Sequence, residues 1–235
     1  MLISHHVFFP VFLGSRVKKV ALHVGAHRGE ERSFYERFSF DRVDWVEGQA
    51  ELCVQLKHEL PVESNTVYEA YAWSETGVEK RFRVTNNGQS SSLLRLGTHA
   101  QHYPQIEVTN EMVVRTSRLD DLIGDASYSF VNLDIQGAEF EALKGMGDLI
   151  ASTEIVYTEV NREALYESGA LVGDLDDFLN AIGFERIITK WTSKGWGDAV
   201  YVRDVGLIRR WAAKIVFRCV EWSRTTRRKF LNYRR

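Results

Sequence analysis

The feature that most constrains the fold is a regular alternation of strand-like hydrophobic runs with helix-like segments. The sequence runs strand, helix, strand, helix, strand at residues 17–25, 30–38, 41–48, 50–60 and 65–73. Further along, strand alternates with helix again at residues 128–135, 138–146, 154–160 and 173–183. Alternation of this kind is typical of βαβ units, which build a mainly parallel sheet.

Two regions depart from the alternation. Residues 74–117 contain short extended pieces around a Ser- and Asn-rich patch, which predicts an insertion or lid. Near the end, residues 184–191 and 198–203 flank the sequence TSKGWG, which favours an antiparallel hairpin. We therefore predict an α/β, Rossmann-like, doubly wound sheet of about seven strands, mostly parallel and closed by a C-terminal hairpin.

The composition indicates an ordinary globular protein. At 235 residues and 44% hydrophobic, the chain is long enough for one α/β core. Cys53 and Cys219 are far apart and form no ligand cluster, which favours a reducing compartment. The apolar stretch 7–13 contains a proline and lacks a basic leader, so it is a poor signal peptide, and no run approaches the roughly 18 apolar residues of a membrane span. We expect a cytoplasmic protein.

Charge divides the chain into a body and a tail. Residues 203–235 carry eleven Lys and Arg against two Asp and Glu, whereas the whole chain has a net charge of −2. We predict an extension at 1–16, a domain at 17–203 and a basic amphipathic helical tail at 204–235. In one interpretation the tail makes the protein peripheral to a membrane. Its apolar stripe would pack on the domain or on a second subunit of a homodimer, or lie on an anionic membrane surface. Nucleic acid is less favoured because no base-stacking module accompanies the tail.

The stretch LHVGAHRG, residues 22–29, lies at the first strand–helix turn, where open parallel sheets bind ligands. Gly25 permits the turn, Ala26 keeps it narrow, and Gly29 permits close packing of the following helix. The spacing G-x-x-x-G matches neither a dinucleotide fingerprint nor a phosphate loop. Glu47, at the end of the second strand, is placed to accept hydrogen bonds from both hydroxyls of a ribose.

A third strand end adds more chemistry. In NLDIQGAE, Asp134 closes the fourth strand, Gly137 permits a tight turn, and Glu139 falls in the first turn of the next helix. The sequence resembles the FkbM family of S-adenosylmethionine-dependent methyltransferases. The resemblance covers roughly residues 17–202 and rests on the following segments: LHVGAHRGE, VEGQAEL, SSSLL, TSRLDDLI, FVNLDIQGAEFEALKGM, EIVYTEVN and WGDAVYV.

The resemblance implies a class I methyltransferase fold and S-adenosylmethionine as cofactor. The cofactor-binding residues that we predict on this basis are His23, Gly25, Ala26, Gly29, Glu47, Ala72, Trp73, Ser74 and Asp134. The chain departs from the usual family pattern at three of its positions: members often have Asp at His23, Glu at Gln136, and Glu-Pro where this chain has Glu47-Gly48. A neutral His23 would not serve as an anionic partner for the methionine ammonium, and an alternative places it as a hydrogen-bonded residue under the loop.

Transfer of a sulfonium methyl group to a hydroxyl needs in-line positioning and a base. We predict Asp134 and Glu159 as catalytic residues. Together with Asn161 they form a set of hard oxygen ligands suited to Mg²⁺, which is a second possible cofactor.

We predict substrate binding by five residues, namely His27, Ser91, Ser92, Asn161 and Trp196. The predicted function is O-methyl transfer to a small molecule or glycan, with a sugar hydroxyl as the preferred acceptor. The alternatives are methylation of RNA or a lipid-linked glycan with the help of the tail, and a protein that binds the cofactor or a partner without catalysis.

Overall fold

The computed structural model describes residues 2–3, 18–203 and 215, so the predicted extension at 1–16 and the tail at 204–235 lie almost entirely outside the described residues. The described strands are β1 Val20–Val24, β2 Arg42–Glu47, β3 Asn65–Glu69, β4 Tyr71–Ala72, β5 Glu79–Thr85, β6 Val108–Ser117, β7 Phe130–Leu133, β8 Ile155–Asn161, β9 Phe184–Trp191 and β10 Trp196–Arg203. The described helices are α1 Arg32–Arg37, α2 Ala50–Glu59, α3 His99–His102, α4 Leu119–Ile123, α5 Glu139–Lys144, α6 Leu149–Ser152 and α7 Val172–Ala181.

Seven strands form the main sheet in the order β3-β2-β1-β7-β8-β10-β9. Neighbours from β3 through β8 are parallel, and β10 runs antiparallel to both β8 and β9. The predicted seven-stranded α/β sheet with a C-terminal antiparallel hairpin is confirmed. Because the chain moves outward from β1 to β3 and then returns to β7 beside β1, the carboxyl ends of β1 and β7 form a switch point of the kind where such sheets bind ligands.

The central strands are buried on both faces, which explains their nearly continuous hydrophobic sequences. All five residues of β1 are buried. Ala21 belongs to a core cluster that contains Trp45 and Phe130, whereas Leu22 belongs to a cluster on the other face that contains Leu143. Alternate residues of β1 therefore anchor two layers, and the end of the strand is held firmly in place.

The insertion at 74–117 forms a small second sheet. Its strand order is β4-β6-β5, with β6 antiparallel to β5 and parallel to β4. The predicted strand 65–73 is accordingly split between the two sheets, and the Ala70 amide at the break donates to the Glu47 carbonyl at 2.9 Å. The Gly97 amide donates to the Leu165 carbonyl at 2.7 Å, which ties the insertion to the loop that follows β8.

Two smaller features complete the description. Asp174 lies at the third position of α7, and its carboxylate accepts from the Leu171 amide at 2.8 Å. It therefore satisfies the backbone from inside the first turn. None of the helices among the described residues has both the length and the apolar character needed to cross a membrane.

Candidate functional site

The first turn after β1 requires glycine. Gly25 has φ +88°, and a Cβ on it would lie 1.9 Å from the carbonyl oxygen of Asp134. The amides of Gly25 and Ala26 both donate to the Val46 carbonyl, at 2.9 and 3.1 Å. The backbone of the turn thus lies so close to the ends of β2 and β7 that only glycine fits at position 25.

Glu47 ends β2 beneath this turn and is 7% exposed. The His27 amide donates to its Oε2 at 2.8 Å, and the Gln49 amide donates to its Oε1 at 2.9 Å. Burial raises the pKa of the Glu47 carboxyl, and these two amides oppose that rise. Each oxygen keeps acceptor capacity, so a pair of vicinal hydroxyls would find a fixed carboxylate here.

A small cavity of about 80 Å³ opens beside Glu47. Its apolar walls include Val24, Ala72, Phe82 and Ile135. Tyr71 also lines it, and a Cβ on Gly48 would lie 2.4 Å from the Tyr71 ring. The departure at Gly48 therefore has a local cause, since only glycine lets the tyrosine ring close this wall.

A larger cavity of about 550 Å³ adjoins the small one. Five residues line both cavities: Gly25, His27, Gln89, Asp134 and Gln136. The larger cavity is also lined by Glu159 and Trp196, and by His99 and Tyr103 from the insertion. Its volume lies within the range of roughly 300–1,000 Å³ that is usual for small-molecule sites.

A hydrogen-bond network centred on Gln136 joins the two predicted catalytic residues. Gln136 Nε2 donates to Asp134 Oδ1 at 2.8 Å and lies 3.5 Å from Glu159 Oε2. The Tyr166 hydroxyl donates to Gln136 Oε1 at 2.6 Å, and the Ser92 hydroxyl donates to the backbone carbonyl of Gln136 at 2.6 Å. Gln136 also has φ +56°, which a non-glycine residue adopts only when its surroundings hold it there.

The two predicted catalytic carboxylates differ in environment. Asp134 is exposed, whereas Glu159 is 8% exposed. Burial raises the pKa of Glu159 well above its ordinary value, and the nearby carboxylates of Glu139, Asp134 and Asp198 raise it further. Burial and these neighbouring charges therefore favour the protonated form of Glu159, which is able to donate a hydrogen bond.

Glu139 supports the turn between Asp134 and α5. It is 3% exposed, and its Oε1 accepts from the amides of Ile135 and Gly137 at 3.0 and 3.1 Å. Burial raises its pKa to about 7, with Asp134 adding to the rise and the backbone donors opposing it. Glu139 thus fixes the loop that carries Asp134 and Gln136.

His23 lies under the loop, as in the second of the two predicted placements. It is 1% exposed, stacks on Trp45 at 5.0 Å between ring centroids, and lines the inner wall of the larger cavity. His23 Nε2 lies 3.1 Å from Asn132 Nδ2 and Nδ1 lies 2.9 Å from the Tyr35 hydroxyl, so both ring nitrogens have a hydrogen-bond partner. Burial lowers the pKa of His23 to about 4 despite the opposing charge of Asp134, so the ring is neutral.

The other predicted cofactor residues have different placements. Gly25, Glu47 and Ala72 line the small cavity. Ala26 and Gly29 are buried behind the turn, where a Cβ on Gly29 would lie 3.0 Å from Leu56.

Trp73 and Ser74 lie outside the linings of both cavities. The Trp73 ring lies under the Lys80 ammonium at 3.8 Å, and the Ser74 hydroxyl donates to the Glu141 carboxylate. The chain enters the small sheet at β4, and Trp73 and Ser74 follow that strand away from the cavity.

The predicted substrate residues are also divided. His27 and Trp196 line the larger cavity, and Ser91 lines the small one. Ser92 is 1% exposed and supports Gln136 instead of facing the space. Asn161 is buried beside Glu159, to which it is hydrogen bonded, and its Oδ1 has no partner among the described residues.

The arrangement does not fit the predicted magnesium ion at Asp134, Glu159 and Asn161. Within residues 2–3, 18–203 and 215, no group of three or more His, Cys, Asp or Glu side chains is disposed to hold a metal ion. The donor amide of Gln136 occupies the approach between the two carboxylates. A cation there would meet an N–H group instead of a third oxygen ligand.

Three residues of the site were missed or misjudged from the sequence. Gln136 was treated only as a departure, yet it connects the two carboxylates. Tyr166 was not singled out, and no role was predicted for Asp198, although both line the larger cavity. Asp198 had a usable signal, because it is an acid in an otherwise apolar strand of the closing hairpin.

Comparison with known proteins agrees with this geometry. The family described as "Methyltransferase FkbM domain" matches residues 23–186. A curated relative, the 2-O-methyltransferase NoeI of Sinorhizobium fredii, is 31% identical over 81 residues. That match spans 33% of this chain and 33% of the relative, so the chain matches about a third of the relative's length.

Solved structures were also found to be similar. Magnesium protoporphyrin IX methyltransferase from Synechocystis PCC 6803, solved with bound SAM, has a TM-score of 0.47 at 12% identity, covering 85% of this chain and 76% of that one. A putative methylase from Haemophilus influenzae has a TM-score of 0.48 at 11% identity, covering 84% and 94%.

Proposed function

The chain belongs to the FkbM methyltransferase family, and from this premise we propose that it transfers a methyl group from S-adenosylmethionine to a hydroxyl oxygen of a small molecule or glycan, with a sugar hydroxyl as the preferred acceptor. The observation that carries the proposal is the meeting of two cavities at Asp134, one beside a fixed carboxylate and one large enough for an acceptor. The 2-O-methyltransferase name of the relative supports oxygen as the accepting atom.

The small cavity is the proposed nucleoside site. Glu47 would accept hydrogen bonds from the two ribose hydroxyls, because its carboxylate is already oriented by the His27 and Gln49 amides. Tyr71, Phe82 and Ile135 would enclose the base. The methionine end of the cofactor would pass Gly25 into the larger cavity. Gly25 has no Cβ, so the turn stays close to Asp134.

The chemistry is proposed at Asp134. When bound, the cofactor supplies a methyl carbon on a sulfonium sulfur, so a carbon–oxygen bond forms as the carbon–sulfur bond breaks and a neutral thioether leaves. Asp134 lines both cavities and would take the proton of the acceptor hydroxyl. Gln136 Nε2 holds one carboxylate oxygen of Asp134, which leaves the other for the acceptor.

Glu159 has a different proposed role from that of Asp134. Because burial favours its protonated form, it serves as a donor that orients the acceptor, not as the base. Tyr166 fixes the Gln136 amide between the two acids, so the two carboxyl groups keep separate positions. The magnesium ion does not fit this arrangement, and no step involves it.

The first test is calorimetric titration with S-adenosylmethionine, followed by a mass-shift assay against a panel of sugars and glycans. We expect saturable heat with the wild type, and about tenfold weaker binding for Glu47→Gln, since one charged hydrogen-bond acceptor is lost. Glu69→Gln is the matched control, because Glu69 is exposed and pairs in register with Glu47 on β3. Equal affinity in both variants would contradict the ribose assignment, and no heat with the wild type would overturn the proposed function.

A further inference from the structure

The lining of the larger cavity carries an unusual concentration of acids. Five carboxyl side chains line it, contributed by the loop after β1, by the ends of β7 and β8, and by β10: Glu30, Glu31, Asp134, Glu159 and Asp198. In the part of the chain that the structure describes, no lysine or arginine lines this cavity. Carboxylates brought together in a confined space destabilise one another unless a cation joins them.

The protonation behaviour of the cluster points in the same direction. Burial raises the pKa of Glu31, of Glu159 and of Asp198, which is 5% exposed. The Asp198 carboxylate accepts from the Tyr157 hydroxyl and the Leu2 amide, which are neutral donors. These two donors satisfy hydrogen bonds of Asp198 without neutralising its charge, whereas Glu30 pairs with His27 Nδ1 at 2.7 Å.

An aromatic wall faces this cluster across the same cavity. His99 packs against Tyr103 and Tyr166, with ring centroids 5.0 and 5.6 Å away, and Trp196 Nε1 donates to the Tyr103 hydroxyl at 2.8 Å. His99 is 4% exposed, and its Nδ1 has no hydrogen-bond partner among the described residues. His99 lines the cavity, and a buried ring nitrogen without a partner is an independent sign that a polar group belongs beside this wall.

Resting on the proposed function, we propose that the acceptor is a cationic polyol, such as an amino sugar or amino alcohol, whose protonated amine lies beside Glu31 and Asp198. S-adenosylmethionine itself brings only one net positive charge to five acids. A second cation from the acceptor would stabilise the ionised cluster, and the aromatic wall would contact its apolar face and favour positive charge. Acceptors that carry a carboxylate or phosphate near the reacting hydroxyl are disfavoured by the same acids.

The test separates this inference from the proposed function in two stages. Calorimetry with S-adenosylhomocysteine comes first, and its failure would concern the cofactor site alone. The protein saturated with that product is then titrated with three probes of similar size: 2-amino-1,3-propanediol, glycerol and glycerate. We expect the amine to bind at least about tenfold more tightly than glycerol, and glycerate to bind most weakly.

Variants identify the acids responsible. Asp198→Asn and Glu31→Gln each keep the shape and hydrogen-bonding oxygen of the side chain, and each should reduce the preference for the amine over glycerol by about tenfold. Asp125→Asn, which changes an exposed acid outside the cavity, should leave that preference unchanged. Rising salt should weaken binding of the amine more than that of glycerol.

Three results would overturn the inference while product binding is intact. One is equal affinity for the three probes, another is tighter binding of glycerate than of the amine, and the third is no saturable binding of the amine. An amine preference that survives in both cavity variants would also overturn it, because the cation would then lie away from these carboxylates.

Discussion

The two sides of the site hold their carboxylates by different means. In the nucleoside cavity, Glu47 is fixed by the backbone amides of His27 and Gln49, twenty and two residues away in the chain. In the acceptor cavity, Asp134 and Glu159 are joined by the side chain of Gln136, which Tyr166 holds from another loop. Backbone donors hold the Glu47 carboxylate in one position, whereas the acids of the acceptor side lie close enough for neighbouring carboxylates to raise the pKa of Glu159.

The difference teaches that binding and chemistry are separable in this fold. The nucleoside side lies at the ends of β1 and β2. It forms when the backbone there is correctly folded, because backbone amides orient Glu47. The acceptor side depends on pKa values set by burial and by several acids, and therefore on contacts between distant elements. Substitutions should consequently affect affinity on one side and turnover or pH dependence on the other.

The largest effect is expected where the two sides meet, at Gly25. Gly25→Ala would place a Cβ 1.9 Å from the Asp134 carbonyl, so the variant should lose more than about 3 kcal/mol of stability and all measurable cofactor binding. Gly77→Ala is the matched control, because Gly77 has φ +83° and nothing within 4 Å of the added Cβ. Denaturant unfolding should show about 1 kcal/mol of loss for the control, and equal losses would mean that the backbone conformation, not the contact with Asp134, is what matters.

Turnover should distinguish the two acids of the acceptor side. Asp134→Asn removes the base and should lower kcat by about 10²- to 10³-fold with cofactor affinity nearly unchanged. Glu159→Gln should cost less than about tenfold, because an amide donor resembles the protonated carboxyl that the wild type presents. Single-turnover kinetics would measure both. The opposite order would assign the base to Glu159.

The fold was predictable from the sequence because its signals are local or periodic. The alternation of strands and helices predicted the main sheet. The ends of three predicted strands identified Gly25, Glu47 and Asp134, which lie together at the cavities. Membership of the family is confirmed by the match to residues 23–186.

The remaining site residues were not predictable, for a physical reason. Gln136 works through Tyr166, 30 residues later, and through a positive φ that no sequence pattern indicates. Trp73 and Ser74 follow a sharp change of direction into the small sheet, which depends on the pairing of β4 with β6. Neither effect is visible until distant segments are brought together.

A smaller effect should follow when Gln136 is given a charge. Gln136→Glu replaces the amide donor with a third carboxylate between Asp134 and Glu159, so ionisation of the group becomes harder. The acidic limb of the pH–rate profile should move upward by about one pH unit, with activity at neutral pH lowered by about tenfold and recovered at higher pH.

The control for this change is Gln101→Glu, which adds the same charge at an exposed position of α3. Its profile should match that of the wild type. An unshifted profile in Gln136→Glu would show that Gln136 does not separate the protonation states of the two acids.

The smallest effect concerns stability against pH. The pKa of Glu139 is about 7 in the folded chain and 4.5 ordinarily, so the native state binds this proton more tightly than the unfolded chain does. Its stabilising contribution is therefore full below pH 4.5 and is lost as the pH rises through 7.

In thermal melts between pH 5 and 8, the wild type should lose stability, and Glu139→Gln should reduce that loss by a few degrees because its oxygen still accepts the two amides. Glu51→Gln, at an exposed position in the first turn of α2, should follow the wild type. An identical slope in Glu139→Gln would contradict a raised pKa at Glu139.

The division of the site into a nucleoside side and an acceptor side is tested most directly by a crystal structure with S-adenosylhomocysteine. The account predicts the ribose hydroxyls within hydrogen-bond distance of Glu47, the base against Tyr71, and the sulfur at the opening between the cavities beside Asp134. A nucleoside bound in the larger cavity, or a sulfur far from Asp134, would contradict it.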